Sequence, residues 1–120
     1  MVAAMAEALS LEGSERVLEV GAGSGYQAAV LSLLARKVVA VETQPALAAA
    51  ARERLSRLGY SNVRIEEGDG SMGWPPDNSL EGPPTGQYEA ILVSAAAPAV
   101  PPPLVEQLAE GGRLVIPRCV

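Results

Sequence analysis

The stretch Leu18-Glu19-Val20-Gly21-Ala22-Gly23-Ser24-Gly25-Tyr26-Gln27-Ala28-Ala29 decides the fold. Its first residues belong to RVLEV, a compact apolar run from Arg16 to Val20 of the kind that forms a strand buried on both faces. From Tyr26 the pattern predicts a helix over roughly residues 26–35. Between the two, Gly21, Gly23 and Gly25 let the backbone turn sharply and approach a ligand closely. The helix start then presents free N–H groups to a negative group.

Working outward, the same alternation repeats. KVVAVE, Lys37 to Glu42, reads as a second buried strand, and Pro45 fits the first turn of a helix that runs to Leu58 and closes at Gly59. NVRIEEGDG supplies a third strand whose alternating polar residues suit a place nearer a sheet edge, and residues 68–87 have the composition of a loop. YEAILVSAAAP, Tyr88 to Pro98, is a fourth strand entering a Pro-rich bend. PLVEQLAEGG is expected to be a helix ending in glycines, and RLVIP, Arg113 to Pro117, a fifth strand. Ahead of all these, Met1 to Leu11 shows helical spacing stopped by Gly13.

Strands alternating with helices of this length predict an α/β fold, a parallel sheet with helices on both faces joined by right-handed crossovers. In such sheets ligands bind at the carboxyl ends of the strands, here after Val20, Val41, Ile65 and Val93. With 120 residues, 48% of them hydrophobic, the chain reads as one domain over 1–120 with a core of Ala, Val, Leu and Ile, since Phe is absent.

Composition also excludes. A net charge of −5 leaves no basic footprint for nucleic acid, and no apolar run reaches membrane-spanning length, so neither partner is expected. The N-terminal residues lack the pattern of a secretory signal, which points to a cytoplasmic protein. The single cysteine, Cys119, reads as a small apolar residue. With no histidine, Ser-His-Asp and Cys-His chemistry is removed along with the commonest metal ligand, so no metal site is expected.

At the crevice, the acid that ends the second strand, Glu42, can accept hydrogen bonds from both hydroxyls of a ribose. The glycine spacing is GxGxG rather than the longer GxGxxG of dinucleotide sites, which favours a nucleoside with a compact charged tail. S-adenosylmethionine has that shape: its carboxylate would meet the glycine turn, its ribose Glu42, and its adenine the GDG turn. There Asp69 can accept from the adenine amino group and Gly70 leaves room for the ring. The candidate cofactor-binding set is Glu19, Gly21, Gly23, Ser24, Gly25, Glu42, Thr43, Asp69 and Gly70. Trp74 and Met72 have the chemistry to close over adenine or the substrate but are read as anchors of a long loop, and Tyr26 reads equally as a ring bordering the ligand or as packing at a helix start.

In this order, LEVGAGSGYQAAVL, VAVETQPALA, GDGSMGWP, YEAILVSAAAP and LAEGGRLVIP resemble the successive blocks of the protein-L-isoaspartate O-methyltransferase family. The first and last blocks would suit many S-adenosylmethionine enzymes, whereas GDGSMGWP together with SAAAP is particular to this family. The resemblance implies a Rossmann-like methyltransferase fold and methyl transfer to the side-chain carboxylate of isoaspartyl residues, a step in repairing aged proteins. It implies isoaspartyl proteins and peptides as partners, with Ala95, Ala96, Ala97 and Pro98 beside the substrate.

Against the family pattern, Met1 matches an interior position, and the Ser/Thr-bearing segment that reaches the active site would lie ahead of it. The family's further strands would follow Val120, so the fold is expected to be incomplete at its C-terminal side. The resemblance therefore assigns no catalytic hydroxyl, and Ser94 is the remaining candidate. Further expectations are a monomer at full length and, for the chain alone, cofactor binding with weak turnover and self-association through Leu114, Val115 and Ile116. Two other readings are a small-molecule methyltransferase and a module that holds the cofactor without turnover.

Overall fold

The computed structural model describes residues 8–74, 87–94 and 101–116. Strands β1 (Arg16–Val20), β2 (Lys37–Glu42), β3 (Val63–Glu67), β4 (Tyr88–Val93) and β5 (Leu108–Val115) form one sheet in the order β3-β2-β1-β4-β5. Every neighbouring pair is parallel. Strand order reverses at β1, where the chain first builds outward to β2 and β3 and then returns to add β4 and β5. The crevice at such a reversal lies beyond the carboxyl ends of β1 and β4.

Successive strand residues enter opposite core layers, as the strand period of two requires, except at the register shift between Tyr88 and Ala90 of β4. Val17, Val38, Ala40, Ile65, Ala90 and Leu92 pack with Ala28 and Leu31 of α1 (Tyr26–Leu34) and with Ala48, Ala51 and Leu55 of α2 (Pro45–Arg57). Leu18, Val39, Val41, Ile91 and Val93 face the other way, toward Tyr88, Trp74 and Leu104 of α3 (Pro102–Glu106). Each fully buried Leu or Ile of these layers contributes roughly 1.5–3 kcal/mol. Helices thus cover both faces, as expected.

Polar side chains tie the helices to the sheet. The Asn62 amide donates to the carbonyls of Ser32 (2.8 Å) and Arg36 (3.2 Å), serving the open C-terminal end of α1. Arg52 of α2 donates through Nη2 to the Ile65 carbonyl of β3 at 2.6 Å. At the amino end of the sheet, buried Arg16 pairs with Glu89 at 3.1 Å.

The boundaries of α1 and α2 follow the sequence, Pro45 occupying the first turn of α2. β3 is an edge strand, as its polar residues suggested. Of the expected leading helix only residues 8–11 are described, with Leu9 buried under the first layer.

One expectation is corrected. PLVEQLAEGG is not one helix: α3 stops at Glu106 and the chain enters β5 at Leu108, five residues before the expected strand start at Arg113. Gln107 causes the change, because its carbonyl accepts the Tyr88 N–H at 2.8 Å and so delivers the chain into the sheet. The glycines do not end a helix. They make an excursion inside β5, where pairing jumps from Tyr88↔Leu108 to Ala90↔Arg113. Gly111 takes φ 77, and a Cβ on Gly112 would lie 2.8 Å from the carbonyl oxygens of Ala109 and Glu89.

Candidate active site

The glycine turn leaves β1 and is pinned over β2: the N–H groups of Gly21 and Ala22 both donate to the Val41 carbonyl, at 2.8 and 3.2 Å. Gly21, Gly23 and Gly25 all have positive φ, of 95, 55 and 85. Their surroundings separate their roles. A Cβ on Gly25 would lie 3.2 Å from Ala51 Cβ and 3.4 Å from Leu55 Cδ1, so this glycine lets α1 start close against α2. A Cβ on Gly23 would meet nothing within 4 Å. Gly23 faces the open crevice, the surface that a ligand would approach.

Glu42, at the end of β2, is buried and holds the turn in place. Its Oε1 accepts the Gly23 N–H at 2.7 Å, and its Oε2 accepts the Gln44 N–H at 3.1 Å and the Thr43 hydroxyl at 3.5 Å. The glycine loop and the acid ending the next strand are therefore in direct contact, although 19 residues apart in sequence. Ser24 supports the helix start: its Oγ accepts the Tyr26 N–H at 3.4 Å, while its carbonyl accepts from Arg54 Nη1 at 2.5 Å.

Glu19 lies on β1 two residues before the turn and is fully buried. Its Oε2 accepts the Ser94 hydroxyl at 3.2 Å, and its Oε1 has no partner among the described residues. Burial pushes its carboxyl up to about 8; the Ser94 hydrogen bond opposes this, and the nearby Glu42 charge adds to it. Ser94 also donates its N–H to the Val20 carbonyl at 2.9 Å, fixing the end of β4 to the end of β1. Its hydroxyl thus serves Glu19 in this structure.

The GDG turn is read differently once seen. Asp69 Oδ1 accepts both the N–H (3.0 Å) and the hydroxyl (2.6 Å) of Ser71, opening a short 3-10 helix over Gly70–Met72. Those two bonds hold its carboxyl below the usual range. Gly70 does not leave an open space: a Cβ there would press on Val20 Cγ1 at 3.0 Å and Val41 Cβ at 3.2 Å. This glycine lets the turn lie directly on the strand ends.

Trp74 is an anchor, as expected. Its ring packs where a Cβ on Gly68 would be, within 2.5 Å of Trp74 Cζ3. Its backbone is clamped by Gln107, which accepts the Trp74 N–H at 2.7 Å and donates to the Trp74 carbonyl at 2.9 Å; Tyr88 donates to the same carbonyl at 2.9 Å. Burial raises the Tyr88 hydroxyl above its usual range, so it remains a donor. Tyr26 is exposed. Ala95, Ala96, Ala97, Pro98 and Cys119 lie outside the described residues. No group of three or more metal-ligating side chains occurs among the described residues, and no described helix is long and apolar enough to cross a membrane.

Two residues escaped the sequence reading. Gln107 was assigned to a helix, and its clamp on Trp74 spans 33 positions. Gln27, in the first turn of α1, buries its Nε2 without a partner among the described residues. A polar side chain inside the otherwise apolar run YQAAVL was the available signal.

Together these contacts gather the glycine turn, buried Glu42 and buried Glu19 at the carboxyl ends of β1 and β2, with nothing within 4 Å of a Cβ on Gly23. Comparison with known proteins bears on the family and the fold. A protein-L-isoaspartate O-methyltransferase 2 from Pelobacter propionicus is 56% identical over 117 residues, covering 98% of this chain and 48% of that protein. The chain spans about half the length of the curated relatives it matches. A solved protein-L-isoaspartate O-methyltransferase superposes with a TM-score of 0.83 at 35% identity, covering 98% of this chain and 35% of that one. A SAM-dependent methyltransferase from Geobacter sulfurreducens, in complex with S-adenosyl-L-homocysteine, shares the fold with a TM-score of 0.74 at 22% identity, covering 96% of this chain and 46% of that one. The family model described as protein-L-isoaspartate(D-aspartate) O-methyltransferase matches residues 1–119, and the chain belongs to that family.

Proposed function

We propose that this chain forms the S-adenosylmethionine-holding part of an enzyme that methylates the side-chain carboxylate of L-isoaspartyl residues in damaged proteins. The observation that carries the reading is the contact between Gly23 and Glu42, which joins the glycine turn to the acid at the end of β2 beside the strand-order reversal, where a ribose would be held. Family membership over residues 1–119 supplies the substrate class. The residues present suit the cofactor: a Cβ on Gly23 would meet nothing within 4 Å, Glu42 brings a buried carboxylate against the glycine turn, and buried Glu19 has one oxygen without a partner among the described residues.

When bound, S-adenosylmethionine supplies an electrophilic methyl group on a sulfonium. A substrate carboxylate with a pKa near ~4 is already ionised at neutral pH, so it can attack without a general base. That agrees with a chain that has no histidine. The protein's task is then orientation and exclusion of water. The glycine turn and Glu42 fix one reactant, and Ala95, Ala96, Ala97 and Pro98 are the proposed docking backbone for the other. A cytoplasmic location and no membrane or nucleic-acid partner belong to the same reading.

The test is transfer of labelled methyl groups to a peptide containing isoaspartate and to its ordinary aspartyl isomer. Label on the isoaspartyl peptide alone supports the proposal, and equal label on both contradicts it. Cofactor binding with no label on either would favour a holding module. The engagement of the Ser94 hydroxyl with Glu19 is the observation on that side.

A further inference from the structure

We propose that Gln27 is a cofactor-binding residue, its side-chain amide donating to the carboxylate of the amino-acid end of S-adenosylmethionine while Glu19 receives the ammonium of that same end. The inference rests on the cofactor reading above and adds a residue to it. Buried polar groups are nearly always hydrogen-bonded, and one left unpaired is destabilising. Among the described residues two buried side-chain atoms have no partner, Glu19 Oε1 and Gln27 Nε2. In sequence they flank the glycine turn, Glu19 two residues before Gly21 at the end of β1 and Gln27 two residues after Gly25 in the first turn of α1.

One orphan is an acceptor and the other a donor, and they ask for opposite charges. Glu19 is fully buried, with its second oxygen held by Ser94, so a cation is the partner that would draw the carboxyl into its ionised form. Gln27 sits in the first turn of α1, which carries no acidic residue and no side-chain cap, so the helix dipole there favours an anion. A ligand with an ammonium and a carboxylate on one carbon carries a partner of the right charge for each atom. A ligand presenting only an anion, such as a pyrophosphate, would satisfy Gln27 and leave Glu19 opposed.

The experiment compares two nucleosides by calorimetry. S-adenosylhomocysteine carries the amino-acid end, and 5′-methylthioadenosine has the same adenosine and thioether without it. Gln27→Met keeps the length of the side chain and removes the donor. It is expected to weaken S-adenosylhomocysteine about 10-fold or more, the loss of a hydrogen bond to a charged group, and to leave methylthioadenosine unchanged. Gln27→Glu, which sets a charge against the carboxylate, is expected to lose more on the first ligand and again nothing on the second. Equal losses on both ligands, or none on either, would overturn the assignment of Gln27 while leaving the cofactor reading in place. Failure of the unaltered chain to bind either nucleoside would overturn the cofactor reading and this inference with it.

Discussion

The Ser94 hydroxyl donates to Glu19 Oε2 across 3.2 Å, joining the ends of two adjacent parallel strands through a carboxyl that is fully buried. Because burial raises the Glu19 carboxyl from 4.5 to about 8, the folded chain binds a proton there that the unfolded chain has released. The associated stability is fully present below the unfolded value and is lost as pH rises through the folded one, a loss on the order of a few kcal/mol. Urea unfolding near pH 5 and near pH 9 measures it. Glu19→Gln should flatten this dependence and make the chain more stable at the alkaline end. An unchanged pH profile in that variant would show that Glu19 is ionised in the folded chain.

The two glycines at the ends of GSG should respond to opposite assays. Gly25→Ala places a methyl group against Ala51 and Leu55 at a positive φ, so it should destabilise the fold by about 1–3 kcal/mol. Gly23→Val points into open space, so its cost is backbone strain at φ 55 rather than a clash, and it should abolish cofactor binding while the sheet persists by circular dichroism. If Gly23→Val binds normally, the turn is not the ligand surface.

Glu42→Ala removes the acceptor for the Gly23 and Gln44 N–H groups as well as the proposed ribose contact. Binding should weaken by roughly 1.5–3 kcal/mol, the value of hydrogen bonds to a charged acceptor. A calorimetric affinity equal to that of the unaltered chain would remove Glu42 from the site.

Gln107→Ala breaks the clamp on the Trp74 backbone and leaves its N–H unpaired, which should lower stability by about 1–3 kcal/mol. The chain has one tryptophan, so its fluorescence reports this site directly. A red-shifted native spectrum is expected, and an unshifted one with unchanged stability would show that the loop is held by other contacts.

The sheet edges differ. β3 presents Arg64, Glu66 and Glu67, while β5 pairs only with β4 among the described residues and carries half-buried Leu114 and Val115, with Ile116 next. Charged edges resist strand addition and apolar ones invite it. Sedimentation of the chain at tens of micromolar should show association. A sharp monomer boundary would mean that the β5 edge is protected.

Much of this was legible because local patterns and tertiary needs coincide. Runs such as RVLEV and KVVAVE can only be buried strands, and Pro45 and the glycines punctuate the chain where the helices start. PLVEQLAEGG misled because Leu104 and Leu108 fit a helical stripe, yet Leu104 packs from α3 and Leu108 from β5. That choice is made by Gln107, whose partners are distant in sequence. For Gly70 the sequence suggests room for an adenine ring, while its contact with Val20 and Val41 depends on how those residues end their strands. The unpaired state of Glu19 and Gln27 exists only in three dimensions.

The central claim is that the glycine turn and Glu42 form a nucleoside site built for S-adenosylmethionine. Calorimetric titration of the chain with S-adenosylhomocysteine, with NAD as the competitor, tests it most directly. The account predicts saturable binding of one S-adenosylhomocysteine per chain, lost in Gly23→Val and weakened in Glu42→Ala. Tighter binding of NAD, or S-adenosylhomocysteine binding indifferent to both substitutions, would contradict it.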